Sequence, residues 1–257
     1  MTTVLEVAGH LDSLLRTSEV VDYPSALNGI QVEHDGPIVK VAAAVDARER
    51  TIQQAIDVGA NLLVVHHGLF WGGLRPLRGA LRRRIHALLS NNVAVYSSHL
   101  PLDAHPEIGN AALLARELGL TRSGGFARVD GTDVGAMGED AVPTEELIGR
   151  ADRFARSYGG VARHSPSEPG RITRRWGICT GAGANVETLR EASQLEIDTL
   201  IVGEGAHWTA IDADESGLTL IYAGHYATET LGVRALAQLV SETYGIPWVF
   251  LHEPTGL

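Results

Sequence analysis

Four short stretches bring histidine together with a second histidine or with a carboxylate. VVHHGLFW (64–71) sets His66 beside His67, and SSHLPLD (97–103) carries His99 and Asp103. GHYATE (224–229) carries His225 and Glu229, and VGEGAH (202–207) carries Glu204 and His207. Imidazole and carboxylate are the donors that hold zinc, iron, manganese, cobalt or nickel. Three histidines and two carboxylates exceed the needs of one tetrahedral ion, and a carboxylate can bridge two cations. Two cations held ~3.5–4 Å apart share a water and lower its pKa, which generates hydroxide at neutral pH.

Each stretch also has a plain structural reading. A lone histidine at a strand end can be an ordinary hydrogen-bonded residue. Neighbours in an extended strand point to opposite faces, so His66 and His67 converge only if the backbone turns at or just before Gly68. His225 and Glu229 are four apart at a predicted helix start, which puts them on one face and permits a simple pair. Asp103, after Pro101, can cap the following helix. Phe70 and Trp71 read as core residues beside the site or as interface anchors. TGAGAN (180–185) follows a strand and precedes a helix, so its N–H groups could cradle an anion. It is neither a full dinucleotide fingerprint nor a P-loop, and a plain tight turn is the better reading.

The surrounding elements must present these groups. A helical period over Val4–Leu15, with Thr2 or Thr3 as cap, opens the chain. LNGIQVE reads as a turn into a short strand. IVKVAAAVDA (38–47) and ANLLVVHHG are buried strands separated by the helix ARERTIQQAIDVGA, which stops at Gly59. Strand, helix, strand is the signature of a parallel α/β layer. The pattern continues with a helix at RGALRRRIHALLSNN, a strand at VAVYSSHLPLD and a helix at NAALLARELGL. Residues 121–140 are rich in Gly and Asp and mark a boundary. A helix with a capping box at Thr144 and Glu146 follows. The strands of WGICTG, DTLIVG, LTLIYAG and IPWVFL come next, with helices between them. In an open parallel sheet, binding groups gather at the carboxyl ends of the strands, where all four histidine stretches lie.

Composition narrows the function. The net charge of −10 argues against duplex nucleic acid as a partner. Arg82, Arg83 and Arg84 are an exception that reads as a solvated helix face. The single Cys179 excludes an internal disulfide and fits a reducing compartment, hence the cytoplasm. It lies in a strand-like run and reads as a small buried residue rather than a nucleophile. The N-terminus lacks the basic start and apolar core of a signal peptide, and no apolar run reaches the ~18 residues needed to span a membrane.

HHGLFW, SSHLPLDAHPEIGNA and GHYATE together resemble the signatures of the Nif-three-like family of dinuclear-metal-centre proteins, linked by name to a type two GTP cyclohydrolase one. NGIQVE and the VGE turn fit as well, so the resemblance runs over nearly the whole chain. It implies that His66, His67, Asp103, His225 and Glu229 bind two divalent metal ions, with Asp103 and Glu229 able to bridge. It makes His99 a proton shuttle or substrate contact. Glu204 is a further proton-moving candidate, and Glu204 and His207 are candidates for the cleft wall. It also implies a ring-shaped homohexamer. The implied function is a metal-dependent hydrolase on a small molecule or nucleotide, in which metal-activated water attacks an electrophilic carbon. In the GTP version, the imidazole ring opens and formate leaves. The alternative is a metal-binding scaffold or regulatory protein without turnover.

The expected architecture is therefore α/β, in two packed lobes. Residues 1–125 with 221–257 form the metal-binding lobe, with a mainly parallel sheet. Residues 126–220 form a second α/β lobe, and the metal site is expected in the cleft.

Overall fold

Thr3 opens the first helix. Its hydroxyl accepts from the Glu6 N–H (3.3 Å), and the Glu6 carboxylate accepts from the Thr3 N–H (2.7 Å). This reciprocal cap starts α1 (Val4–Leu15), whose inner face buries Val4, Val7, Ala8, Leu11 and Leu15. The computed structural model describes residues 1–256. They divide into two compact units, Met1–Leu102 with Gly232–Glu253, and Asp103–Leu231 with 254–256.

In the first unit α1 is followed by β1 (Gly29–Val32), β2 (Val41–Asp46), α2 (Glu49–Asp57), β3 (Leu62–His67), α3 (Gly79–Ser90) and β4 (Ala94–Ser97). The short helix α4 (Leu100–Asp103) ends this part of the chain. Strands β2 and β3 are apolar runs, and Ala42, Ala43, Ala44, Leu63, Val64 and Val65 are all fully buried. Continuous burial of this kind suits parallel strands covered on both faces. β2, β3 and β4 pair in parallel, and β1 closes the edge of β4 antiparallel. Ile52, Leu63, Val65, Leu69, Leu88 and Val95 form the centre of the core.

The second unit carries α5 (Asn110–Glu117), β5 (Arg122–Val129), β6 (Thr132–Pro143), α6 (Thr144–Ser157), β7 (Arg163–His164) and β8 (Ile172–Cys179). It continues with α7 (Val186–Gln194), β9 (Thr199–Val202), α8 (His207–Glu215), β10 (Thr219–Tyr222) and α9 (His225–Thr228). The order across its sheet is β5-β6-β8-β9-β10-β7, with β8, β9 and β10 parallel and the rest antiparallel. The core packs Leu114, Leu118, Leu147, Phe154, Trp176 and Ile201. Helix α10 (Thr230–Tyr244) returns the chain to the first unit, where β11 (Trp248–Phe250) pairs parallel with β2. The first sheet then reads β1-β4-β3-β2-β11.

The fold is mixed α/β with two sheets, and the first is mainly parallel as expected. Its units divide at 102/103 and 231/232, whereas sequence texture puts the breaks at 125 and 221. The reason is visible at both places. The Gly- and Asp-rich stretch is a hairpin inside the second unit, and Asp130 and Gly131 turn it with φ of 44° and 87°. Helix α5, ahead of that hairpin, buries Leu114 and Ala115 in the second core. Consequently Asp103, His225 and Glu229 belong to the second unit, and His66 and His67 to the first, so the five expected ligands do not share one unit. The expected capping box at Thr144 does not form either. Pro143 takes the cap position, and the buried Thr144 hydroxyl pairs with Thr173 Oγ1 at 2.9 Å.

Candidate metal centre

His66 and His67 end β3, at the carboxyl edge of the parallel sheet. The ladder runs through His67, which is in register with Asp46 of β2, so the strand is still extended at both histidines. Their rings nevertheless stand with centroids 4.9 Å apart. The sheet ends here, and each ring turns toward the strand beside it. His66, fully buried, places Nδ1 2.9 Å from the Ser98 carbonyl, just beyond β4. His67 places Nδ1 3.0 Å from Asp46 Oδ1 at the end of β2. A bend before Gly68 is therefore not needed for convergence. Gly68 serves another purpose: a Cβ there would collide with the Gln31 amide, whose Oε1 accepts from the Leu69 N–H at 2.6 Å.

His99 joins this pair. Its ring centroid lies 4.9 Å from that of His66 and 5.7 Å from that of His67. One ring nitrogen from each of the three lies within 4.8 Å of the others, a spacing that can hold a cation. Trp71 stands edge-on to both His67 and His99, with centroids at 5.5 and 4.8 Å, and walls the group. His99 Nδ1 is fixed by Asp22, 2.9 Å from Oδ1 and 3.2 Å from Oδ2. The Asp22 carboxylate also accepts from the Asn28 amide (2.8 Å) and from the Leu100 N–H (3.0 Å), which caps α4. Burial pushes the Asp22 carboxyl upward, but the hydrogen bond and charge of His99, with the Asn28 and Leu100 donors, outweigh it and hold it below its ordinary value.

The second unit presents the carboxylates. Gly224, with φ of 95°, begins α9 and sets His225 at its first position. His225 Nδ1 lies 2.8 Å from Glu204 Oε1, and Nε2 lies 3.1 Å from the almost buried Glu229 Oε2. Burial alone would depress this imidazole, yet the Glu229 and Glu204 carboxylates reverse the effect and raise it to about 9. Asp103, nearly buried, accepts from the Asn110 amide at 2.8 Å. The TGAGAN turn is spent on this assembly. The Gly181 N–H donates to Thr228 Oγ1 (3.1 Å), and its carbonyl accepts from the Glu204 N–H (2.8 Å). The Ala184 N–H donates to the Glu204 carbonyl (3.3 Å), and the Asn185 N–H to Thr188 Oγ1 (3.1 Å). Three of its N–H groups thus serve the fold. Gly181 has φ of 60°, and a Cβ there would strike the Glu229 carboxylate.

His66, His67 and His99 form one group in the first unit, and Glu204, His225 and Glu229 form another in the second. His207 is exposed at the start of α8 and joins neither. Cys179 is buried, and burial, followed by Asp103, Glu191 and Glu229, pushes its thiol up to about 12. It is an inert protonated thiol, as its strand context suggests. Sequence reading misses Asp22, Asp46 and Asn110. Asp46 has a signal, since it ends the strand beside β3. Asp22 lies in an irregular stretch 77 residues from its partner and has none.

The four imidazoles share one arrangement. Each has Nδ1 tied to an oxygen acceptor: Ser98 carbonyl, Asp46, Asp22 and Glu204. A carbonyl or carboxylate accepts from the ring N–H, which fixes the tautomer and makes Nε2 the ligating atom. Metal-binding histidines are held in this way, so the residues fit a divalent cation. The donor atoms are oxygen and nitrogen only, a set that permits several transition metals.

Comparison with known proteins agrees in extent. The family model described as Duf34/NIF3 (NGG1p interacting factor 3) matches residues 2–255. A relative from Deinococcus radiodurans named GTP cyclohydrolase 1 type 2 homolog is 41% identical over 238 residues, covering 91% of this chain and 88% of that one. The solved structure of protein ybgI, of unknown function, superposes with a TM-score of 0.88 at 33% identity over the full length of both chains. That of TTHA1606 from Thermus thermophilus gives 0.86 at 35% identity, again over both full lengths.

Proposed function

The chain belongs to the Duf34/NIF3 family, and from that membership we propose that it is a dinuclear metal-dependent hydrolase acting on a small molecule or nucleotide. His66, His67, Asp103, His225 and Glu229 hold the two divalent cations in this reading. The observation that carries it is the fixing of the three histidines among these ligands, His66, His67 and His225, through Nδ1 by oxygen acceptors. Two bound cations would supply Lewis acidity and a water acidified toward neutral pH.

The protein's own residues do the remaining work. Ser98 and Asp46 hold His66 and His67 in their ligating tautomers. Glu204 orients His225 and Glu229 faces it from the other side of the ring. His99 is left outside the five ligands, so it is the group that transfers a proton to or from substrate, with Asp22 setting which nitrogen does so. Trp71 shields the imidazoles and limits water around them.

The relatives' name points to a reaction of the GTP cyclohydrolase type, in which water adds to a purine ring carbon and formate leaves. The test is formate release from GTP by the metal-loaded protein, purified free of other cyclohydrolases. Release that disappears in His99→Ala with metal still bound supports the reading. Full metal occupancy with no turnover on GTP, other nucleotides, pterins or cyclic amides would favour a scaffold.

A further inference from the structure

Residues 74–80, LRPLRGA, are all exposed and lead into α3. Leu74 stands wholly in solvent and Leu77 is 56% exposed, so this arm of the first unit holds two leucines out of any core. Exposed leucines set side by side mark a surface that gains by being covered. Each leucine is followed, at once, by an arginine or by proline and then leucine and arginine: Leu74-Arg75, Pro76, Leu77-Arg78. Arg82 follows in the first turn of the helix. Arg83 is neutralised by Glu49, through hydrogen bonds of 3.0 and 2.7 Å. Arg75, Arg78 and Arg82 form no ion pair among the described residues.

The second unit carries the opposite surface. Helices α7 and α8 flank a groove of about 460 Å³, whose walls include Val186, Leu189 and Trp208. Val186 is 48% and Trp208 38% exposed, although both are large and apolar. Trp208 and Asp212 are four apart on α8 and both line the groove, so a ring and a carboxylate share one face. Arg190 is the one arginine of the two helices, against Glu187, Glu191, Asp212, Asp214 and Glu215. Glu191 accepts from the Arg128 N–H at 2.8 Å. Glu187, Asp212, Asp214 and Glu215 form no ion pair among the described residues.

The chain itself thus supplies the segment that the groove fits, in apolar character and in charge. We propose that the arm at residues 74–82 of one copy docks in the α7–α8 groove of a second copy. Leu74 and Leu77 cover Val186 and Trp208, and Arg75 and Arg78 face Asp212 and the carboxylates beside it. The leucines supply the apolar part of the contact, and the charges fix its register and exclude a basic face. The two surfaces differ, so the contact is head to tail: every copy offers one arm and one groove. Neither surface includes a candidate metal ligand, and the contact stands whether or not the hydrolase reading does.

The test is sedimentation of the purified full chain over a range of concentrations. Leu77→Asp with Arg78→Glu makes an arm variant, and Val186→Arg with Asp212→Arg a groove variant. All four side chains are exposed, and circular dichroism checks that each variant is folded. The wild type is expected to exceed the mass of one chain as concentration rises, and to do so less in high salt. Each variant should need about tenfold more protein, or higher, to reach the same mass. Mixed together, the two variants should associate beyond either alone, because each keeps the surface that the other has lost. A wild type that stays a single chain, a variant that assembles as the wild type does, or a mixture no larger than its parts would overturn the proposal. A synthetic peptide of residues 72–82 that binds a wild type unable to self-associate would also overturn it, and would assign the groove to another basic chain.

Discussion

Asp22 Oδ1 stands 2.9 Å from His99 Nδ1, and the Asp22 side chain is only 5% exposed. A carboxylate so enclosed is there for its partner. Its hydrogen bond to Nδ1 holds the His99 ring beside those of His66 and His67, and it caps the short helix that leads to Asp103.

Asp22→Asn keeps the shape and removes the charge. Turnover is expected to fall about 10–100-fold, with metal content near that of the wild type. Unchanged turnover would sink the orienting role. Stability gives a second readout. The Asp22 carboxyl is held below its ordinary 3.8 in the folded state. A depressed carboxyl stabilises the fold above its unfolded pKa, and that contribution is lost as pH falls through the folded value. The difference in melting temperature between wild type and Asp22→Asn should be constant above about pH 4 and shrink below it. A difference that grows on acidification contradicts this.

His225 makes a prediction of opposite sign. In the metal-free protein its pKa is raised to about 9 by Glu229 and Glu204, against the effect of burial. A raised histidine stabilises fully below its unfolded value, near 6.5, and loses that contribution as pH rises toward 9. Melts of metal-free wild type and His225→Gln should converge between these limits. A metal must displace the same proton, so metal affinity should climb over this range and binding should release protons to buffer. Calorimetry in buffers of different ionisation enthalpy reads that release; heats independent of buffer would count against it.

Gly181 is needed for two reasons that can be separated. Its φ is 60°, and a Cβ would strike Glu229. Gly181→Ala should cost on the order of 1 kcal/mol from the backbone and also displace Glu229, lowering metal occupancy. Gly131, with φ of 87° and nothing within 4 Å of a Cβ, is the control. Gly131→Ala should carry a comparable backbone cost and keep its metal. Equal metal content in both variants would show that the turn does not position Glu229.

Much of this was legible in the chain. The apolar runs around Val41–Asp46 and Leu62–His67 specify buried parallel strands, and the strand ends then deliver His66 and His67 to the sheet edge. His225 and Glu229 follow from helical spacing. The readings that failed depend on long-range packing. The Gly- and Asp-rich segment reads as a boundary because glycine in a hairpin and glycine between lobes have the same composition. Thr144 reads as a cap because its hydroxyl partner, Thr173, is 29 residues away. Adjacent histidines demand a bend only while the neighbouring strands are ignored. The acceptors Ser98 and Asp46 lie on either side of β3 and draw the two rings over its end. Asp22 is invisible for the same reason: nothing local marks it.

The most direct test of the two-metal claim is a metal count. The protein is equilibrated with excess zinc, desalted and measured for zinc per chain, alongside His66→Ala and Glu229→Gln. Two zinc ions per chain are expected in the wild type and one or fewer in each variant, with the fold retained by circular dichroism. One or none in the wild type, or two still bound in both variants, would contradict the claim.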